Sequence, residues 1–255
     1  MRLQIVGLGP GRDEVLSFQA RAALSQAEVI VGYKTYLDQV GFLLEGKRIV
    51  SSAMTQELDR AGTALDLALA GDRVVVISGG DPGIYAMAGV VFELARARAI
   101  PLGSGPEQLQ IEVIPGVPAL AAAAAILGAP LTHDFACISL SDRLTPWDVI
   151  TKRLSLTAQA DLVIVLYNPK SRGRHWQFGQ ACQIVAQTRP PDTPMGLVTN
   201  AMRDEGEKVV LTTLGQAAST DVDMHTIVII GNSQTFVYGG RMVTPRGYVN
   251  KYGGK

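Results

Sequence analysis

The residues whose types and spacing could do chemistry sit where apolar runs stop. Val76 to Gly89 reads VISGGDPGIYAMAG: an apolar run enters Gly79-Gly80-Asp81-Pro82-Gly83, then an aromatic, then small residues. Glycine tolerates φ > 0 and lets main chain approach a ligand closely. Asp81 falls at the carboxyl end of a predicted strand, where open α/β sheets bind their ligands. An unpaired buried acid is costly, so Asp81 should meet turn amides, cap the helix that follows, or take a ligand's donors. Gly7-Leu8-Gly9-Pro10-Gly11 also follows a predicted strand. A glycine turn there invites a pyrophosphate-binding reading, but Arg12 stands where the third glycine of G-x-G-x-x-G belongs. The next strand ends in Gly32-Tyr33, with no acid for a ribose hydroxyl.

Other strand ends carry weaker signals. Pro115-Gly116-Val117-Pro118-Ala119 precedes an alanine-rich helix, which either packs tightly on a sheet or marks a second close approach. Tyr167-Asn168-Pro169, Thr199-Asn200-Ala201 and His225-Thr226 are strand-end residues that commonly form turns. Lys170, Arg172, Arg174 and His175 form a basic run, either a solvated loop or a reception for substrate carboxylates. No P-loop, G-x-S-x-G, H-E-x-x-H or C-x-x-C pattern occurs. Neither a serine nucleophile nor a metal site is expected.

The elements that position these residues follow from apolar periodicity. Strands are expected at Leu3–Val6, Val29–Val31, Val74–Ile77, Ile111–Ile114, Phe135–Ser139, Leu162–Tyr167, Met195–Val198, Lys208–Thr212 and Thr226–Ile230, with a hairpin-like tail. Helices are expected at Glu14–Ala27, Thr55–Ala70, Ile84–Arg98 and from Ala119 to Leu127, with others between the later strands. Alternating strands and helices imply two α/β domains with mostly parallel central sheets. The boundary is placed at 116/117, giving domains 1–116 and 117–255.

The chain has 255 residues, 23 basic and 23 acidic, so no broad field exists to hold nucleic acid or an anionic membrane. The longest apolar stretch, Val117 to Leu131, holds Pro118 and Pro130 and falls short of the ~20 residues a membrane span needs. Two cysteines, Cys137 and Cys182, imply no disulfide framework, and a reducing cytoplasm is expected.

V-G-L-G-P-G, S-G-G-D-P-G-I-Y and I-P-G-V-P-A-L, in this order and over nearly the whole chain, resemble the tetrapyrrole methylase family. Thr132 to Phe135, Ser139 to Trp147, Leu166 to Pro169, Gly231 to Thr235 and Gly240 to Tyr248 are similar to the members that methylate carbon 17 of precorrin-3B or cobalt-factor III in cobalamin biosynthesis. Pro82 and Pro118 stand where relatives can carry other small residues. The resemblance implies S-adenosylmethionine as donor, a cleft between the two domains, a homodimer, and methylation coupled to ring contraction. By motif match it places donor contacts on Pro10, Gly80, Asp81, Ile84, Ala119, Tyr167, Ala201 and Thr226. Ring contraction needs a proton taken from an oxygen and a carbonyl polarised; the candidates are Tyr85, His133, Asp134 and Asp142. The alternatives are a family member acting at another ring position, and a module that binds donor or tetrapyrrole without turnover.

Overall fold

A computed structural model of the chain describes residues 1–53, 56–171, 173–203 and 205–253, with the backbone alone at 218. The chain falls into two compact units, Met1–Ala119 and Leu120–Lys255.

The first unit contains strands β1 (Arg2–Gly7), β2 (Val29–Tyr33), β3 (Arg48–Ser52), β4 (Arg73–Ser78) and β5 (Gln110–Ile114). Helices α1 (Phe18–Gln26), α2 (Lys34–Gln39), α3 (Glu57–Leu69) and α4 (Met87–Ala97) alternate with them. The sheet order is β3-β2-β4-β1-β5, and every pairing is parallel. Strict alternation sends side chains to two faces. Leu3, Ile5, Val29, Val31, Val74 and Val76 pack under α3 and α4. Val6, Ile30, Val75, Ile77 and Ile114 pack against α1. Burying each of these side chains stabilises the unit by about 1.5–3 kcal/mol relative to exposure.

Helix boundaries follow local chemistry. The α1 helix starts at Phe18, because Ser17 Oγ accepts the Ala20 amide at 3.0 Å; Asp13–Val15 is a separate 3-10 turn. The α3 helix starts later than the sequence pattern suggests; Thr55 lies outside the described residues. It ends at Leu69, two residues before Gly71, whose φ of +105° a side chain would oppose. The α4 helix starts at Met87 rather than Ile84, since Tyr85 takes φ +51° and breaks the helical path.

In the second unit, reached through α5 (Ala119–Leu127), lie β6 (Gly128–Ala129), β7 (Phe135–Ser139), α6 (Trp147–Gln159), β8 (Val163–Tyr167), α7 (Gln177–Val185), β9 (Pro194–Thr199), β10 (Lys208–Thr213) and β11 (Thr226–Ile230). The tail adds β12 (Phe236–Tyr238), β13 (Arg241–Val243) and α8 (Tyr248–Tyr252). The main sheet runs β10-β9-β11-β8-β7, and a small sheet runs β12-β13-β6. The two-domain α/β class holds, but the expectation of a mostly parallel second sheet is corrected. Within the main sheet only β7 and β8 pair in parallel; β11 runs against both β8 and β9, and β10 against β9. The short β9–β10 connection cannot hold the crossover of a dozen or more residues that a parallel neighbour requires.

The core of this unit joins Ile164 and Leu166 of β8, Ile150 and Leu154 of α6, Phe178, Ala181 and Cys182 of α7, and Val228 and Ile230 of β11. Burial pushes the Cys182 thiol up to about 12, so it stays protonated and inert. Gly196 of β9 allows the Leu127 side chain of α5 to pack closely on the sheet: a Cβ at Gly196 would lie 2.5 Å from it. No helix among the described residues is long and apolar enough to cross a membrane.

Candidate functional site

In the first unit the chain leaves β1 toward α1 on one face, and leaves β4 toward α4 on the other. Because β1 and β4 are neighbours, their loops part at the carboxyl ends of the strands, which is a topological switch point. Both glycine motifs meet there. Gly9 N–H donates to Gly80 O at 3.1 Å, and Gly80 N–H donates to Gly9 O at 2.8 Å. A Cβ on Gly7 would lie 2.6 Å from Gly116 N and 2.7 Å from Gly80 O. A Cβ on Gly116 would overlap Gly80 O and the main chain of Gly7. Three strand-end backbones therefore converge where no side chain fits.

Asp81 binds this convergence together. Its Oδ1 accepts the Gly83 amide at 2.8 Å, and its Oδ2 accepts the Gly116 amide at 3.2 Å. The carboxylate thus closes its own turn and ties the loop after β4 to the loop after β5. Each oxygen keeps a second lone pair for a ligand's donor. Gly80 has φ +65° and an open side: a Cβ there would meet nothing nearer than Ala119 N and the Pro118 backbone, both at 3.8 Å. That bare, accessible main chain beside a carboxylate fits a ligand that needs close backbone approach. Pro10, Gly80, Asp81 and Ala119 are brought to this place, and Ile84 lies in the adjoining turn, whose Ala88 N–H reaches Pro82 O at 2.9 Å. Tyr85, half exposed in a left-handed conformation, follows Ile84. A bulky residue in that region stores strain of the kind that clusters at ligand sites.

In the second unit, the carboxyl ends of β8 and β9 and the start of β11 share one edge of the sheet. Tyr167 ends β8, and its hydroxyl accepts the Leu120 amide at 2.9 Å, one of the unpaired donors at the start of α5. Tyr167→Phe should therefore lower stability by about 1 kcal/mol; an unchanged urea midpoint would remove the phenol from the support of α5. Thr226 is buried; its Oγ1 lies 2.8 Å from Thr199 Oγ1, and it donates to Asp223 Oδ1 at 2.8 Å. Asn200 N–H donates to His225 O at 3.1 Å, and buried Ala201 follows. His225 is pushed below the ordinary imidazole range by burial and then by the Arg203 guanidinium, against the pull of Asp223.

Of the four candidates for proton transfer, Tyr85 belongs to the first unit, and the three in the second unit do not gather. His133 and Asp134 precede β7, whereas Asp142 follows it. Roughly 17 Å of strand separates the two places. His133 Nδ1 accepts the Asp134 amide at 2.7 Å, which commits its lone pair. The Asp134 carboxylate lies farther off, 3.8 Å from the same nitrogen, so the amide bond is the closer contact of this pair. Asp142 stands at the carboxyl end of β7, and its Oδ2 accepts Gln177 Nε2 at 3.0 Å.

Sequence patterning missed the polar chain beside Asp142. Asn168 Nδ2 donates to Ser139 Oγ at 3.0 Å, Ser141 N–H to Ser139 Oγ at 3.2 Å, and Arg174 Nη1 to Ser141 Oγ at 3.1 Å. The basic run was a signal for Arg174 alone; Lys170 is paired with Asp221 at 3.3 Å, and Arg172 lies outside the described residues.

Comparison with known proteins gives the family of the chain. A family profile described as Tetrapyrrole (Corrin/Porphyrin) Methylases matches residues 2–218. The cobalt-factor III methyltransferase of Priestia megaterium is 46% identical over 251 residues, which cover 98% of this chain and 46% of that protein. The chain thus spans about half the length of that relative. The probable cobalt-factor III C(17)-methyltransferase of Salmonella typhimurium is 45% identical over 246 residues, 96% of this chain and 99% of that protein. Among solved structures, the methyltransferase CobJ superposes with a TM-score of 0.86 at 36% identity, covering 95% of this chain and 99% of that one. The uroporphyrin-III C-methyl transferase of Thermus thermophilus, complexed with S-adenosyl homocysteine, gives a TM-score of 0.70 at 25% identity, covering 91% and 97%.

Proposed function

Because the chain belongs to the family of tetrapyrrole (corrin/porphyrin) methylases, we propose that it is an S-adenosylmethionine-dependent methyltransferase that methylates carbon 17 of cobalt-factor III or precorrin-3B, with ring contraction, in cobalamin biosynthesis. The observation that carries this is the 45% identity to the Salmonella relative over 96% of this chain and 99% of that one. The S-adenosyl homocysteine held by the Thermus relative supports the donor. In this reading the enzyme is a cytoplasmic homodimer, as the family resemblance implies.

The proposal assigns donor contacts in the first unit to Pro10, Gly80, Asp81, Ile84 and Ala119, and in the second to Tyr167, Ala201 and Thr226. Bound, S-adenosylmethionine supplies a methyl group already activated by a sulfonium. The chain therefore needs no strong nucleophile or metal of its own for that step. Its work is to hold the methyl and an electron-rich ring carbon in line at ~3–3.5 Å, which contributes on the order of 7–11 kcal/mol. Gly80 offers main chain without a side chain in the way. Asp81 offers lone pairs to the donor's ammonium.

Proton transfer for ring contraction is assigned first to Asp142 and Tyr85, because His133 and Asp134 stand at the other end of β7 and the His133 lone pair is engaged. Asp142→Asn is expected to slow contraction by roughly 10²-fold while methyl transfer continues; His133→Ala is expected to leave both steps unchanged. Stopped-flow spectra of contraction beside chemical quench of methylated product separate the steps. The reverse pattern would return the role to His133.

The function itself is tested by calorimetry and turnover. S-Adenosylhomocysteine should bind and NAD should not. Anaerobic addition of donor and cobalt-factor III should release S-adenosylhomocysteine in an amount equal to the macrocycle consumed. Binding without release would mark a non-catalytic module.

A further inference from the structure

Among the described residues three arginines are buried, Arg60, Arg174 and Arg189, and two of them are well supplied with acceptors. Arg189 donates to the carbonyls of Ala158, Leu162 and Gly231 and lies 3.3 Å from the Asp161 carboxylate. Arg60 donates to Ser52 Oγ, Ala53 O and Met87 Sδ. Arg174 differs. It is 7% exposed, its Nη1 reaches only Ser141 Oγ, and its Nε is buried with no hydrogen-bond partner. No carboxylate among the described residues lies within ion-pair distance of it. The acid whose charge acts on it, Asp142, is taken up by Gln177, whose own Oε1 is buried and unpartnered. A buried guanidinium without a counter-ion is costly. Burial, and then the neighbouring Arg143 charge, disfavour its cationic form, and only Asp142 opposes them.

The surroundings suit one kind of ligand. Arg174 and Ser141 sit in the loops at the carboxyl ends of β8 and β7, two parallel neighbours. The loop that carries Ser141 and Asp142 also carries Arg143 and Leu144, the latter 98% exposed. Trp176, two residues after Arg174, is half exposed and packs edge-on against Trp147 with ring centroids 5.0 Å apart. A planar apolar body with carboxylate arms would bury the leucine and indole surface and supply the missing anion.

We propose that Arg174, set by Ser141, binds a peripheral carboxylate of the tetrapyrrole substrate and so selects the acidic macrocycle. This rests on the tetrapyrrole methylase reading above. A guanidinium fork matches a carboxylate in two parallel hydrogen bonds, with Nε as one of the donors.

The test titrates the full-length protein with uroporphyrin III, and with the same macrocycle whose carboxylates have been converted to primary amides, following quenching of protein fluorescence. Arg174→Gln should weaken uroporphyrin III binding by about 10- to 100-fold, as for loss of a charged hydrogen-bonded contact. It should leave the affinity for the amide and for S-adenosylhomocysteine unchanged. Arg174→Lys should fall between, and it keeps the test open if the glutamine variant does not fold. Equal weakening for both macrocycles would make Arg174 a packing residue, and no weakening would mean it makes no contact; either overturns the proposal while leaving the family function standing. Failure of the unaltered protein to bind either macrocycle would overturn the functional reading, and this proposal with it.

Discussion

Gly116→Ala is expected to abolish S-adenosylhomocysteine binding and to lower stability by at least about 3 kcal/mol, beyond the range of most point substitutions. The methyl group would overlap Gly80 O and the main chain of Gly7. These are backbone atoms at the ends of paired strands, not the tips of side chains that can swing away. Relief requires β1, β4 and β5 to part at their carboxyl ends. That movement breaks the reciprocal Gly9–Gly80 bonds and the Asp81–Gly116 contact. Gly89→Ala is the control. Gly89 lies in α4 with nothing within 4 Å of the added carbon, so the substitution should raise stability by about 0.5–1 kcal/mol. Urea unfolding and calorimetry measure both. A Gly116→Ala protein that melts and binds like the unaltered one would mean that the three strand ends do not converge as described.

Asp81→Ala is expected to be the second most damaging change. It strips the Gly83 and Gly116 amides of their acceptor; the Gly116 donor is partly buried and the Gly83 donor exposed, so the cost is about 1–2 kcal/mol. Asp81→Asn separates scaffold from ligand. The amide oxygen can satisfy one of the two N–H groups while its NH2 opposes the other, so stability should lie between alanine and aspartate. Donor affinity should fall at least about 10-fold in both variants, because a charge-assisted hydrogen bond to the ammonium is lost in each. Stability that falls while donor affinity holds would leave Asp81 a purely structural tie.

The legible parts of the fold were those written in apolar runs. Val29 to Val31 and Val74 to Ile77 are β-branched and unbroken, and Leu3 to Val6 is apolar but for Gln4, because helices cover the sheet on both faces. The β3 strand escaped because it opens on Arg48 and lies exposed at the sheet edge, where burial does not shape composition. The reversed direction of β11 was not legible either. A run such as Thr226 to Ile230 shows that a strand is buried and carries no mark of which way its neighbours run. At the site, the glycines announced close approach, but not that the nearest bodies would be one another's main chains. Asp81 could be read as cap, tie or ligand, and only the positions of Gly83 and Gly116 show that it ties two loops. Arg174 lay in a basic run that reads either as a solvated loop or as a reception for carboxylates; its burial depends on loops separated by over thirty residues in sequence, Ser141 being 33 away. His133 and Asp142 are close in the chain, yet an intervening strand carries them to opposite edges.

Methyl transfer to carbon 17 is open to one direct measurement. The protein is incubated anaerobically with cobalt-factor III and S-adenosylmethionine carrying a 13C methyl group, and the product is examined by carbon NMR. The account predicts a labelled methyl on carbon 17 of a ring-contracted macrocycle. A label at another ring carbon, or an unlabelled macrocycle recovered intact, would contradict it.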